Sequence, residues 1–235
     1  VIHLEPENFD HYYNLAILYK ENKEYKKSCH FLLKSLEIDP ENVKALTLVA
    51  AISFTLQEFD ISIEKLDTLV KLDPSNEDAL LQRAIISLKV GKFENSLNGF
   101  YDLGKLKGFN DNLLSDIAIC HFFLGNLEEA KKINNLSGSA KNFEYNDAII
   151  NLKLGNYKEG WIGFQSGLNN GSRELRSGFE KFKNLPFWDP KKHKKSIVLI
   201  GEQGVGDEIM YSTIINELLD KVEKIFLFCD PRLKK

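Results

Sequence analysis

The chain has 235 residues, of which 43% are hydrophobic and 28% are charged, with 15 Gly and 6 Pro. This composition is typical of a folded globular protein and excludes collagen-like, low-complexity and mostly disordered chains. Lys and Arg total 31 against 34 Asp and Glu, a net charge of −3, so there is no global positive field to attract nucleic acid or an anionic membrane, and we expect neither as a partner.

The lengths of the apolar runs and the spacing of the cysteines indicate the cellular compartment in which the protein is expected. Runs such as Ile197 to Ile200 are far shorter than the roughly 20 apolar residues of a membrane-spanning helix. Cys29, Cys120 and Cys229 are widely separated and form no CxxC pair, unlike the even cysteine framework of a small secreted scaffold. We therefore expect a protein of the reducing cytoplasm without a membrane partner.

A repeat of 34 residues organises the first two thirds of the chain. A proline or glycine marks the period at Pro6, Pro40, Pro74 and Gly108. A small residue returns in the first half of each unit, at Ala16, Ala50, Ala84 and Ala118. An aromatic residue or Leu returns after the middle of the unit, at Tyr25, Phe59, Phe93 and Leu127, and three residues later come Ser28, Ser62, Ser96 and Ala130.

These columns predict two antiparallel helices per unit. Small residues let helices approach closely, and an aromatic residue fills the gap to the neighbouring helix. Gly91, Gly125 and Gly155 fall in the turn between the helices, where a positive φ is required. The prediction is an array over residues 9–167 of about five units with a shortened fourth, preceded by the tail of another unit at residues 1–8.

The pattern resembles the tetratricopeptide (TPR) repeat. The resemblance implies a mainly α fold, an α-solenoid in which helix pairs stack into a right-handed superhelix and the first helix of each pair lines a concave groove. Such a groove implies a protein or peptide partner.

Three columns of candidate groove residues follow from the repeat. The apolar column holds Ile17, Ala51, Ile85, Ile119 and Ile149, and beside it lie Phe54, Leu88, Phe122 and Leu152. A polar column able to hydrogen-bond an extended peptide holds Asn14, Gln82, Asp116 and Asn146. The alternative is that some of these side chains simply pack between neighbouring first helices.

Residues 168–195 have no sustained period and predict a linker with a short docking piece. Six lysines lie between Lys181 and Lys195. They are either a phosphate-binding patch or, as we favour, a solvated approach to a strand. The two aromatic residues of the Pro186 to Asp189 turn are expected to pack against the last segment of the chain.

The sequence pattern changes from helical repeats to alternating strand and helix segments in residues 196–235. Ile197 to Ile200 predict a buried strand, Gly206 to Leu219 a helix and Ile225 to Cys229 a second strand. Continuous apolar strands favour a parallel sheet covered on both faces, which two strands cannot form alone. We interpret the segment as the truncated start of a Rossmann-like βαβ domain.

A glycine-rich turn containing Gly201, Gly204 and Gly206 joins the first strand to the helix. Backbone N–H groups at such a place suit phosphate or another anion. The spacing of a phosphate loop is present, but its Lys and Ser/Thr are replaced by Asp207 and Glu208. A dinucleotide fingerprint would need a third small residue where Ile209 stands.

Three stretches together carry a second resemblance: YKEGW (157–161), PFWD (186–189) and GEQGVGDEI (201–209). They resemble bacterial TPR proteins whose repeats lead into a glycosyltransferase-like domain of the GT-B type. These are similar to the O-linked N-acetylglucosamine transferase family and, at the glycine loop, to heptosyltransferases. The resemblance implies a nucleotide sugar as cofactor of a full-length protein, with none held by this chain, and Asp207 as general base.

Two functions stay open. One is the N-terminal part of a glycosyltransferase whose groove presents an acceptor protein or glycan, and the other is a non-enzymatic TPR scaffold. Asp207 has an alternative as a helix-capping residue. The adjacent pairs Cys29-His30 and Cys120-His121 point about 100° apart on a helix and lie in distant repeats, so we expect no metal site.

Overall fold

The computed structural model describes most of the chain, with gaps at its start and between the array and the last segment. The described residues are 7–140, 142–164, 166–167, 181–182, 184–186, 188–189, 191, 194–201 and 204–233. They fall into two compact units, Val1–Gly163 and Phe164–Lys235. Residues 1–6 of the predicted tail (residues 1–8) and most of the predicted linker lie outside the described residues.

Helical pairs with a 34-residue spacing build the first unit, and this confirms the predicted repeat architecture. The first helices of the pairs are α1 (Phe9–Glu21), α3 (Val43–Thr55), α5 (Glu77–Lys89), α7 (Asp111–Phe123) and α9 (Phe143–Leu154). The second helices are α2 (Tyr25–Ile38), α4 (Phe59–Leu72), α6 (Phe93–Lys107), α8 (Leu127–Leu136) and α10 (Tyr157–Phe164). Each helix from α1 to α8 packs against the next one along the chain.

An asparagine column starts the first helices. Asn42, Asn76 and Asn110 are N-cap residues whose Oδ1 atoms accept the backbone N–H three residues later, at 3.2, 3.0 and 2.9 Å. Asn8 caps α1 in a similar way through the N–H of Asp10. Each such cap is worth about 1 kcal/mol, so the column fixes where the first helices begin.

The small-residue column and the serine column meet in the core. In the first three units the serine Oγ of the second helix donates to the carbonyl of the alanine in the first. The pairs are Ser28 with Ala16 at 2.7 Å, Ser62 with Ala50 at 2.8 Å and Ser96 with Ala84 at 2.8 Å. All six residues are buried, and a satisfied buried hydroxyl removes a desolvation cost of about 1 to 3 kcal/mol.

The turn between the helices of a pair contains one residue with positive φ. Gly91, Gly125 and Gly155 have φ of 79°, 82° and 87°, as their positions predict. In the first two units the same place holds Lys23 and Gln57, with φ of 60° and 62°. A side chain in this left-handed region costs about 1 to 2 kcal/mol, so these two turns are strained where the later ones are not.

The second unit contains two parallel strands joined by helical segments. Strand β1 (Lys194–Ile200) pairs with β2 (Val222–Phe228), with Ile197 opposite Ile225. Between them lie α11 (Val205–Tyr211), a short 3₁₀ turn (Ser212–Ile214) and α12 (Ile215–Leu219).

The helix predicted from Gly206 to Leu219 is thus present but is interrupted by this 3₁₀ turn. The hydroxyls of Ser212 and Thr213 donate to the carbonyls of Ile209 and Met210, at 2.7 and 3.0 Å. Such back-bonding competes with the helical ladder, and the β-branched residues after it propagate a helix poorly.

A small core holds the second unit together. It consists of Ile197, Leu218 and Val222, with Trp188 packed against it. Of the two aromatic residues expected to pack here, Trp188 does so, and Phe187 lies outside the described residues. Several apolar side chains of the unit remain exposed, among them Ile209 and Phe226. Of the helices in the described part of the chain, none combines the length and apolar character that crossing a bilayer requires.

The strained turn of the second repeat provides a stability test. Gln57→Gly removes the Cβ that disfavours φ of 62°, and we expect the free energy of unfolding to rise by about 1 kcal/mol after the entropic cost of glycine. Urea unfolding followed by circular dichroism measures the change. Gln57→Ala is the matched control, because it keeps the Cβ and should give little gain. Equal stability of the two variants would contradict the strain.

Candidate binding surface on the first helices

The odd-numbered helices of the array bury one side and expose the other. In α5 the buried residues are Ala79, Leu80, Ala84, Ile86 and Ser87. With 100° between successive helical residues these positions cover one side, and the opposite side carries Gln82 and Ile85. The same division recurs in α3. We call the exposed sides of α1, α3, α5, α7 and α9 the first-helix face.

The apolar column lies on this face but is open to different degrees. Ile85 exposes 45% of its surface, and Ala51 is exposed as well. Ile17, Ile119 and Ile149 are half-buried. Ala51 and Ile85, in the middle of the column, are therefore open to a partner, as expected of groove residues. The other members are partly covered, as expected of residues that pack between neighbouring helices.

An aromatic and aliphatic column runs beside it. Phe54 is 39% exposed, and its ring centroid lies 5.8 Å from that of Phe59. The ammonium of Lys89 lies 5.3 Å from the Phe54 centroid and 5.2 Å from the Phe59 centroid, within the range of a cation–π contact. Leu88, the next member of the column, is half-buried.

A second aromatic group, around Phe122, is larger than the sequence pattern predicts. Phe122 is half-buried and meets Phe123 edge-on at 5.2 Å. Phe123 is exposed and stacks on Phe93 at 4.7 Å. Phe123 was not among the predicted groove residues. It lies at the end of α7, at the repeat position that Lys89 occupies at the end of α5, 34 residues earlier.

The polar column separates into exposed and buried members. Asn14 and Gln82 are exposed. Asn146 is only 3% exposed, and its Nδ2 donates to the Ser115 Oγ at 2.8 Å. Its assignment to peptide binding is corrected: α7 and α9 pack directly against each other, and the Asn146 amide is committed to that contact.

Asp116 is the remaining member of the polar column, and its carboxyl group has the least favourable environment of the four. It is half-buried, and burial raises the pKa of its carboxyl group from 3.8 to about 6. Within the described part of the chain no side chain or backbone group forms a hydrogen bond or an ion pair with this carboxylate. A partly desolvated charge without a partner is costly, so this residue is a candidate for recognition.

An open depression of about 500 Å³ lies at the N-terminal end of the first-helix face. It is formed by α1 and the start of α3. Its lining residues are Phe9, Asp10, Tyr13, Asn14, Asn42, Val43 and Lys44. Asn14 thus borders a concave surface of mixed aromatic and polar character.

The glycine turn of the second unit has a local structural explanation. A Cβ at Gly201 would come within 2.4 Å of the Glu208 carboxyl group, and Glu208 Oε2 accepts the backbone N–H of Asp230 at 2.8 Å. Gly204 is the N-cap residue of α11, and Gly206 is exposed. The side chain of Asp207 lies outside what the structure describes.

The thiols of the array, Cys29 and Cys120, lie in its core, whereas His121 is half-buried and His30 is exposed. Cys120 Sγ donates to Ser96 Oγ at 3.4 Å, and His121 Nε2 lies 3.3 Å from the Tyr101 hydroxyl. Cys29 is buried next to Ser53. No group of three or more His, Cys, Asp or Glu able to hold a metal ion occurs among the residues with described positions.

Comparisons with known proteins support the repeat. A family model described as tetratricopeptide repeat matches residues 10–42, which span the first helical pair. No curated protein matches the chain.

Solved structures resemble the fold at low sequence identity. YrrB, described as a TPR protein with an unusual peptide-binding site, is 15% identical, with 73% of this chain and 90% of that chain covered and a TM-score of 0.56. MamA is 13% identical, with 77% and 98% covered and a TM-score of 0.58. MamA residues 41 to the end from Desulfovibrio magneticus RS-1 are 11% identical, with 70% and 95% covered and a TM-score of 0.58.

These likenesses establish the fold of the array, a solenoid of TPR-type helix pairs. They give no support to the predicted glycosyltransferase-like segment, for which the structure contains a short sheet of two parallel strands.

The half-buried carboxylate of Asp116 predicts a pH-dependent stability. Because the pKa is raised from 3.8 to about 6 on folding, the native state binds more protons in this window, and the free energy of unfolding falls as pH rises from about 4 to 6. Asp116→Asn removes the penalty and should be more stable at pH 7 by up to about 3 kcal/mol, a gain that vanishes near pH 4.

Urea unfolding between pH 4 and 8 measures this difference. Asp102→Asn, at an exposed acid of α6, is the control and should give no comparable pH-dependent gain. A constant difference between wild type and Asp116→Asn over the whole pH range would contradict the desolvated carboxylate.

Proposed function

We propose that the first-helix face lines a concave groove that binds an extended segment of another protein. The observation that carries this proposal is the exposure of Ile85 and Phe54, at 45% and 39%, in adjacent first helices. Leaving a large apolar side chain in water forgoes about 1.5 to 3 kcal/mol of burial. Single exposed apolar residues are ordinary, but Ile85 and Phe54 lie on the first-helix face in columns whose other large apolar members are half-buried.

Polar groups beside the apolar column suit a peptide backbone. The amides of Gln82 and Asn14 are exposed, and each offers both donors and an acceptor. An extended peptide has unpaired N–H and C=O groups along its length, which such side chains can satisfy, while its apolar side chains pack on Ile85 and Phe54.

The fold adds support by analogy. YrrB, which shares the fold at 15% identity, is described as having a peptide-binding site. A shared fold does not by itself transfer a function, so the proposal depends on the side chains of this chain and on a binding experiment.

Ile85→Glu should abolish peptide binding without unfolding the array. The variant places a charge in the middle of the apolar column, where a bound peptide would desolvate it. The measurement is selection from a phage-displayed library of random peptides on the 235-residue chain, and then fluorescence anisotropy with the enriched peptides. We expect at least roughly a tenfold loss of affinity, equivalent to about 1.4 kcal/mol, with an unchanged circular dichroism spectrum.

Leu106→Glu is the matched control, because Leu106 is 47% exposed on α6, a second helix of the same unit. It should bind the enriched peptides like wild type. Equal loss in both variants, loss of helical signal in Ile85→Glu, or a library without enriched peptides would contradict the proposed groove.

We also propose that the second unit begins a glycosyltransferase-like domain, so that the groove presents an acceptor to a catalytic site. Support comes from the parallel order of β1 and β2, the helical crossover between them and the glycine turn that precedes α11. A nucleotide sugar would be the donor, with Asp207 as the general base that takes the proton of the acceptor hydroxyl. The alternative function is a scaffold without a reaction.

Asp207→Asn separates the two functions. In the longest natural form of the protein, loss of a general base should lower sugar transfer from a nucleotide sugar by about 10² to 10⁴, with little change in melting temperature. Asp220→Asn, at an exposed acid just after α12, is the control and should leave turnover unchanged. Absence of transfer by the wild type would favour the scaffold, whereas unchanged turnover in Asp207→Asn would overturn the role of Asp207 as general base.

A further inference from the structure

The place of Asp116 on the first-helix face gives it access to a partner. It lies 34 residues after Gln82, which is exposed at the equivalent position of α5. Asn146, the next member of the column, is buried by its hydrogen bond to Ser115, which links α9 to α7. The residue equivalent to Ser115 one unit earlier is the apolar Leu81, which has no hydroxyl to offer Asp116.

Several cations of the surrounding helices are engaged elsewhere. Lys89 lies over the rings of Phe54 and Phe59, and Arg83 pairs with Asp67 across to α4 at 3.1 Å. Lys131 of α8 pairs with Asp147. Among the described residues no cation forms an ion pair with Asp116, although the carboxylate is half-buried and without a hydrogen bond.

The surroundings of the carboxylate along α7 are apolar. Ile119 lies three residues further along, on the same side of the helix, and is half-buried. An amphipathic side chain with an apolar stem and a cationic end matches this arrangement, because the stem can cover Ile119 while the end reaches the carboxylate.

We infer that the groove selects an extended peptide carrying a Lys or Arg, whose cation pairs with Asp116 and whose neighbouring residues are apolar. This inference rests on the proposed peptide binding and specifies the chemistry of the partner. The occupant is chosen by charge complementarity, because bringing the partly desolvated carboxylate together with a cation stabilises both. An acidic peptide would place like charges together in a poorly solvated site and be rejected.

The experiment compares libraries and defined peptides on the 235-residue chain. Phage-displayed random peptides are selected on wild type, on Asp116→Asn and on Asp102→Asn, in which an exposed acid outside the first helices is changed. For wild type and Asp102→Asn we expect Lys or Arg to be enriched at one position between apolar residues. For Asp116→Asn the apolar residues should persist and the basic preference should disappear.

Fluorescence anisotropy then gives the size of the effect. For an enriched peptide, replacing the basic residue by norleucine, which retains the apolar stem, should weaken binding to wild type by about 10- to 100-fold. The same replacement should change binding to Asp116→Asn by less than about threefold, because the charge partner is already missing.

The outcomes distinguish this inference from the function on which it rests. Enriched apolar peptides that show no basic preference, or a preference that survives Asp116→Asn, overturn the role of Asp116 and leave peptide binding in place. Enrichment of acidic peptides also overturns it. A library without enriched peptides, or peptides that bind Ile85→Glu as well as wild type, overturns the groove and this inference together.

Discussion

The hydrogen bond from a buried serine hydroxyl to a buried alanine carbonyl holds the two helices of a repeat at close range. Ser28, Ser62 and Ser96 all make it, at 2.7 to 2.8 Å. Only a small residue allows such an approach: a Cβ added at Gly99 of α6 would lie 3.0 Å from the Cβ of Ala84. Because the pair spacing is set by this contact, larger residues must occupy the flanks, and the side of each first helix away from the contact is left for solvent.

The exposed face is therefore a consequence of how the core is built. In α3 and α5 largely the same repeat positions are buried in the core. The positions on the opposite side of each helix can therefore vary without loss of core packing. Their occupants are unusual for free surface: Ile85, Phe54 and the stacked Phe123 are apolar and open to solvent. Exposed apolar residues of this kind are the ones that the proposed binding of an apolar segment would cover.

The last units of the array depart from the regular pattern, and the departure changes which polar side chains are buried. Helix α8 has 10 residues against 14 for α2 and α4, and α9 then comes into contact with α7. This contact buries Asn146 against Ser115. The polar column is thereby divided into exposed amides at one end, a buried amide at the other, and between them Asp116, whose carboxylate is desolvated but unpaired.

The sequence by itself determined the period, the helix pairs and the positive-φ turns, because each depends on local residue size and on spacings along the chain. It also predicted the strands before and after the glycine turn. What only the tertiary structure decided is the burial of individual side chains in one column. Asn146 and Asp116 both match the groove pattern, yet packing of α9 on α7 committed the first to a hydrogen bond and left the second half-buried. The cause is that exposure depends on the neighbouring helix, whose distance and length no single repeat encodes.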